Sequence, residues 1–225
     1  MTDKFSKFGF KPTVYQNHLN LPISAGSVQY RISTLRSVFE QIEASQNTHR
    51  DLMIELDEQQ QELTKNDESD ENYDYSFNDE LIDLEFNFYR VNRVSSVLSL
   101  YSYLENTLNR FCHQKQRQHD LPISVLDLSG NGIIRCKTYL EKFNLVNFSD
   151  PVCNGAWSNL INLNKLRNAL AHAEGDLENS RHLDIKKVKK IKGLTLFGTT
   201  VMISRDYVTD TMEEVEKFLV HICKN

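Results

Sequence analysis

Apolar residues recur along most of this chain at steps of three and four, the period of a helix with one buried face. Val28, Ile32, Leu35, Val38, Phe39 and Ile42 keep it from Ser27 onward, and Leu52, Met53, Leu56 and Leu63 can extend it. A second long helix is predicted from Asn78 or Asp79, either of which is a fair N-cap. Its stripe is Leu81, Leu84, Phe88, Val91, Val94, Leu98, Tyr101, Leu104 and Leu108. A short helix is expected over Ile133–Val146. The next starts near Asn154 to Trp157, beyond the break Ser149-Asp150-Pro151, buries Leu160, Leu163, Leu166 and Leu170, and stops at Gly175. Leu194–Phe197 and Val201–Ile203 flank Gly198-Thr199-Thr200, a hairpin signal. A last helix from Ser204 or Arg205 carries Val208, Met212, Val215, Leu219 and Ile222. The expectation is an all-α bundle with two long antiparallel helices and a small C-terminal β-hairpin.

Residues 1–26 break the pattern. Phe5, Phe8, Phe10 and Tyr15 lack a period, and Pro12 and Pro22 interrupt them, which reads as an irregular arm before one domain over 27–225. The polar run 65–78 reads as an acidic linker between the long helices. Charge is segregated. Glu55 to Glu85 hold thirteen acidic residues against one basic, a net of −12, which leaves 25 basic against 18 acidic elsewhere, a net of +7. An acidic total of −5 therefore does not exclude a nucleic-acid partner. No run approaches eighteen apolar residues, so no membrane span is expected, and Met1-Thr2-Asp3-Lys4-Phe5 does not read as a signal peptide. Cys112, Cys136, Cys153 and Cys223 form no C-x-x-C pair and read as buried thiols of a cytoplasmic protein, with no metal or other cofactor expected.

The densest chemistry lies at the end of the fourth predicted helix, Lys165-Leu166-Arg167-Asn168-Ala169-Leu170-Ala171-His172-Ala173-Glu174-Gly175. At about 100° per residue, Asn168 and His172 share a face, whereas Arg167 and His172 are roughly 140° apart and meet only if the helix borders a cleft. Histidine, with an ordinary pKa of about 6.5, exchanges protons near neutrality. Arginine offers a permanent planar fork for phosphate oxygens, and an asparagine amide can orient an imidazole. The set suits cleavage of a phosphodiester by a ribose 2′-hydroxyl. The plainer account, cations compensating a helix dipole, is favoured on spacing alone. Lys186, Lys187, Lys189, Lys190 and Lys192, five lysines in seven residues, could guide an RNA backbone; a solvated turn with Ile185, Val188 and Ile191 inward explains them more simply.

Arg167-Asn168-Ala169-Leu170-Ala171-His172 resembles the R-x4-6-H motif of the HEPN superfamily, in the form with Asn after Arg. Among the seven histidines only His172 has an arginine at that distance before it. Tyr101-Ser102-Tyr103-Leu104-Glu105 is similar to the tyrosine- and glutamate-bearing helix that packs behind the motif in that family. The resemblance implies a HEPN-like helical bundle and a metal-independent endoribonuclease, often a toxin or phage-defence effector. His172 would be the acid or base, Arg167 would stabilise the phosphorane, Asn168 would orient the imidazole, and Glu105 would support from behind. It also implies a homodimer with a composite site, and an antitoxin or regulatory protein as a further partner. One departure argues against modification by a nucleotidyltransferase antitoxin. Toxins so regulated carry a tyrosine soon after the histidine, and this chain runs Ala173-Glu174-Gly175-Asp176. The alternatives are an inactive HEPN-like module that dimerises and binds RNA or protein, and a coiled-coil protein, whose heptads do not persist past Leu121.

Overall fold

Ser24 opens the first helix. Its hydroxyl accepts from the Ser27 amide at 3.2 Å, while the Ser24 amide donates to Ser27 Oγ at 3.0 Å. This reciprocal cap satisfies two of the donors orphaned at a helix start. Helix α1 therefore runs Ala25–Thr64, and Ser27 lies inside its first turn rather than before it. In this computed structural model the described residues are 22–64 and 79–224. Most of the expected arm, and the acidic stretch 65–78, lie outside them.

At 1.5 Å per residue α1 is about 60 Å long. Val28, Ile32 and Phe39 face the core as expected, but Val38 and Ile42 are exposed. The inward position near them goes to Glu43, 1% exposed, because Arg93 reaches it with two hydrogen bonds of 3.0 Å.

The second long helix begins with helical residues 79–83, passes through a π segment, Leu84–Tyr89, and continues as α2, Arg90–Gln118. A π turn holds one residue more than an α turn and so rotates everything before it relative to everything after. Leu84 is followed on the buried face by Tyr89, five residues on. Phe88 and Val91, expected in the stripe, are each 59% exposed. Past the π turn the expected period resumes at Tyr101, Leu104 and Leu108. The two long helices are antiparallel: the Ile23 amide bonds Gln114, Glu43 pairs with Arg93, and Asn47 accepts from Tyr89.

A capped 3-10 turn, Val125–Asp127, interrupts the loop that follows. Helix α3 is Gly132–Lys142, shorter than expected, because Asn144 turns left-handed (φ 52°) and the Leu145 amide returns to the Leu140 carbonyl. Helix α4, Pro151–Ala173, begins earlier than expected. Asp150 is its N-cap, accepting from the Val152 amide at 2.9 Å. Pro151 occupies the first helical position, where its missing N–H costs nothing. A four-residue helix α5, Ile185–Val188, precedes the hairpin of β1, Leu194–Phe197, and β2, Thr200–Ile203. The strands are antiparallel, with Leu194 opposite Ile203 and Phe197 opposite Thr200. Helix α6, Arg205–Lys224, buries all five residues of its expected stripe. It runs antiparallel to α1, through Glu40–Arg205 and Arg36–Glu216, and to α4, through Asn159–Glu214 and Asp150–His221. Helices α1, α2, α4 and α6 thus enclose one apolar core, with α3 laid against α2. The fold is mainly helical, with one small sheet among the described residues.

Candidate functional site: an arginine network and a histidine pair on α4

Leu160, Leu163, Leu166 and Leu170 turn α4 toward the core as expected. That leaves Asn164, Arg167 and Asn168 along the edge beside α2. Arg167 Nη2 donates to Glu105 Oε2 at 2.8 Å and Nη1 to Asn168 Oδ1 at 2.8 Å. Its guanidinium carbon lies 4.4 Å from the centre of the Tyr101 ring, a cation–π contact. The Tyr101 hydroxyl donates to Asn164 Oδ1 at 2.9 Å, and Asn168 Nδ2 donates to the same oxygen at 3.3 Å. Five side chains from two helices form one network.

Tyr101 is 1% exposed. Burial foremost, and the charge of Glu105 next, push its phenol up to about 12, with Arg167 pulling the other way. It remains a hydrogen-bond donor throughout the neutral range. Gly132, at the start of α3, sits over the network. Its φ is +56°, and a Cβ there would stand 2.9 Å from Glu105 Oε1 and 3.4 Å from the Tyr101 hydroxyl. A larger residue there would take a backbone angle that L side chains rarely adopt and would displace the Glu105 carboxylate.

His172 stands apart. It is exposed, and its ring centre is 6.1 Å from that of His182, in the connection after α4. Among the described residues no hydrogen bond joins it to Arg167 or Asn168. Within this chain the Asn168 amide bonds Arg167 and Asn164 rather than the imidazole. The structure brings Glu105, Arg167 and Asn168 together and directs Arg167 toward α2 rather than toward His172 of the same chain. The helix end also differs in detail. Glu174 (φ 48°) is the first left-handed residue and Gly175 (φ 81°) the second, with the Gly175 amide returning to the Ala169 carbonyl at 3.0 Å.

Beside that helix end lies an open groove of about 500 Å³, bordered by Phe86, Arg90, Glu174, Asp176, Phe197 and Thr200. Phe86 and Phe197 pack with ring centres 4.2 Å apart, and Phe197 remains largely exposed. Arg90 donates to the Glu174 carbonyl and so ties the first residue after α4 to the start of α2. Lys186, Lys187, Lys189 and Lys190 are all exposed on and after α5. Lys187 pairs with Asp184 at 2.8 Å. Val188 is buried as the plain account requires, but Ile185 is exposed.

Comparison with protein-family models, curated proteins and solved structures gave no match. Sequence reasoning missed three participants. Asn164 had a signal, its place four residues before Asn168 on one helix face. Gly132 and His182 had none, because Gly132 comes from the head of another helix and His182 from irregular chain.

Proposed function

We propose that this protein is a metal-independent endoribonuclease of HEPN type, built on a HEPN-like bundle and acting as a toxin or phage-defence effector. The observation that carries the reading is the end of α4. There an arginine is held in one orientation by Glu105, Asn168 and Tyr101, five residues before an exposed histidine, and the helix end that follows, Ala173 and Glu174, borders a groove with an exposed aromatic ring. In the reaction a base takes the proton of the ribose 2′-hydroxyl, the 2′-oxygen attacks phosphorus, and the 5′-oxygen leaves with a proton from an acid. The products are a 2′,3′-cyclic phosphate and a free 5′-hydroxyl. His172 supplies proton transfer and Arg167 offsets the charge of the phosphorane. The nucleophile belongs to the substrate, so the step calls for no metal-bound water. Phe197 offers a stacking face for a base, and Lys186, Lys187, Lys189 and Lys190 attract the backbone at longer range. Because Arg167 turns away from His172 of its own chain, the complete site pairs two copies, each facing its histidine to the partner's arginine network.

Purified protein with a mixed RNA substrate in excess EDTA tests this, with far-UV circular dichroism recorded in the same buffer. Wild type should cleave, and His172→Ala should lose about a hundred- to ten-thousandfold in rate while staying folded. Arg167→Ala should lose activity as well. Cleavage that survives His172→Ala would remove α4 as the site. One observation favours a second reading, an inactive RNA- or protein-binding module: Glu105 already neutralises Arg167 at 2.8 Å. RNA binding with no cleavage by a folded wild type would support that module.

A further inference from the structure

At the other end of α4, far from Arg167, three unlike ligand groups converge. An Asp150 carboxylate oxygen, Cys153 Sγ and a His221 ring nitrogen all lie within 4.8 Å of one another. We propose that Asp150, Cys153 and His221 bind one zinc-class divalent cation, with water in a fourth position. The local folding places them. Asp150 is the N-cap of α4, and Cys153 stands three residues on, in the first turn, so both lie on one side of the helix start. His221 comes from the last turn of α6, whose register against α4 is fixed independently by the Asn159–Glu214 hydrogen bond of 2.6 Å.

The donor chemistry selects the ion. A thiolate and an imidazole favour zinc-like ions over magnesium or calcium, which take oxygen ligands. Bond lengths of about 2.0–2.3 Å in tetrahedral geometry put neighbouring ligand atoms roughly 3.3–3.6 Å apart. His221 Nε2 and Asp150 Oδ1 are already 3.1 Å apart and no pair of the three atoms exceeds 4.8 Å, so closing the cluster needs side-chain movements of about 1 Å. Cys153 is 0% exposed, whereas Asp150 and His221 are only part-buried, which leaves an entry path and room for a water. Asp150 and a thiolate would balance a doubly charged ion. Two lysines on the adjoining elements are already engaged: Lys137 lies over the Phe148 and Trp157 rings and pairs with Glu141 at 3.5 Å, and Lys217, one turn before His221, pairs with Glu213 at 2.6 Å. On uptake the Cys153 thiol gives its proton to solvent, and the Asp150–His221 contact is exchanged for bonds to the metal. Asp150 and Arg167 are about 25 Å apart along α4, so the ion would fasten the start of α4 to the end of α6 rather than take part in the reaction proposed above. The inference stands whether or not that reaction occurs.

Metal-free full-length protein titrated with Co²⁺ provides the test. One equivalent should give the intense visible bands of tetrahedral cobalt and a near-ultraviolet thiolate charge-transfer band. It should also release about one proton and quench the single tryptophan, Trp157, one turn after Cys153. Zn²⁺ should displace the cobalt, and at hundredfold excess over Kd raise Tm by roughly 5 °C or more. Cys153→Ser should abolish the charge-transfer band, Cys223→Ser should keep it, and His221→Asn should weaken binding at least tenfold. Wild type that shows no saturable tetrahedral band at one equivalent overturns the proposal, as does a charge-transfer band that survives in folded Cys153→Ser. Should Cys153→Ser not fold, His221→Asn decides: unchanged affinity there counts against the site.

Discussion

Arg167 divides its guanidinium among Glu105, Asn168 and the face of Tyr101, and the worth of each contact differs. The side chains of the Arg167–Glu105 pair are 27% and 33% exposed, so solvent screens it and its contribution is close to that of a surface pair, about 0.2–1 kcal/mol. Glu105→Gln should therefore lower Tm by no more than about 4 °C while reducing RNA cleavage tenfold or more, because the arginine loses its anchor; thermal melts and cleavage rates on one preparation separate the two effects. Tyr101 behaves differently. Its phenol, raised from 10 to about 12 in the folded chain, contributes stability that is fully present below about pH 10 and lost as pH rises through about 12. Tyr101→Phe removes the bond to Asn164 and should cost about 1 kcal/mol at pH 8. The gap from wild type should narrow between pH 10 and 12. Tyr207, also pushed up to about 12 by burial, supplies an alkaline limb common to both proteins.

At the scale of the element, the π segment Leu84–Tyr89 explains why the second long helix was only half legible. Three- and four-residue steps from Leu84 lead to Phe88 and Val91, but the chain inserts one residue and buries Tyr89. Deleting Asn87 should convert the π turn to an α turn and keep Leu84 and Tyr89 on one face, with helicity retained and Tm within about 5 °C of wild type. Deleting Ser99, inside regular helix, should displace Tyr101, Leu104 and Leu108 from the core and abolish the cooperative melt. Helices α4 and α6 were legible along their stripes because no such irregularity interrupts them. The start of α4 was not: Asp150-Pro151 reads as a break when the proline is seen without the cap it follows. Gly132 at the head of α3 belongs here too. Gly132→Ala combines a left-handed φ with a 2.9 Å approach to Glu105 and should cost about 1–3 kcal/mol, read as a fall in Tm together with lost cleavage.

Across the whole molecule, Glu43 and Arg93 join three parts. Arg93 holds buried Glu43 of α1 from its place on α2 and donates to the Ile203 carbonyl of β2 at 3.3 Å. Arg93→Ala would leave a buried carboxylate without its cation, an expected loss of about 3–5 kcal/mol by denaturant titration, and adding Glu43→Leu should restore most of it. No periodicity reveals such a pair, since Glu43 occupies a position whose helical neighbours suggest Ile42 instead. The candidate site divides the same way. Arg167, Asn168 and His172 could be read from one short stretch, and Tyr101 and Glu105 only through the resemblance that places their helix behind it; their contacts with Arg167, and that of His182 with His172, come from the fold.

The central claim, cleavage by the ribose 2′-hydroxyl, is tested most directly with one RNA sequence made twice, once natural and once 2′-O-methylated throughout. In EDTA the folded protein should cut the natural strand, leave 2′,3′-cyclic phosphate ends by mass spectrometry, and spare the methylated strand. Cleavage of both strands, or of neither, would contradict the account.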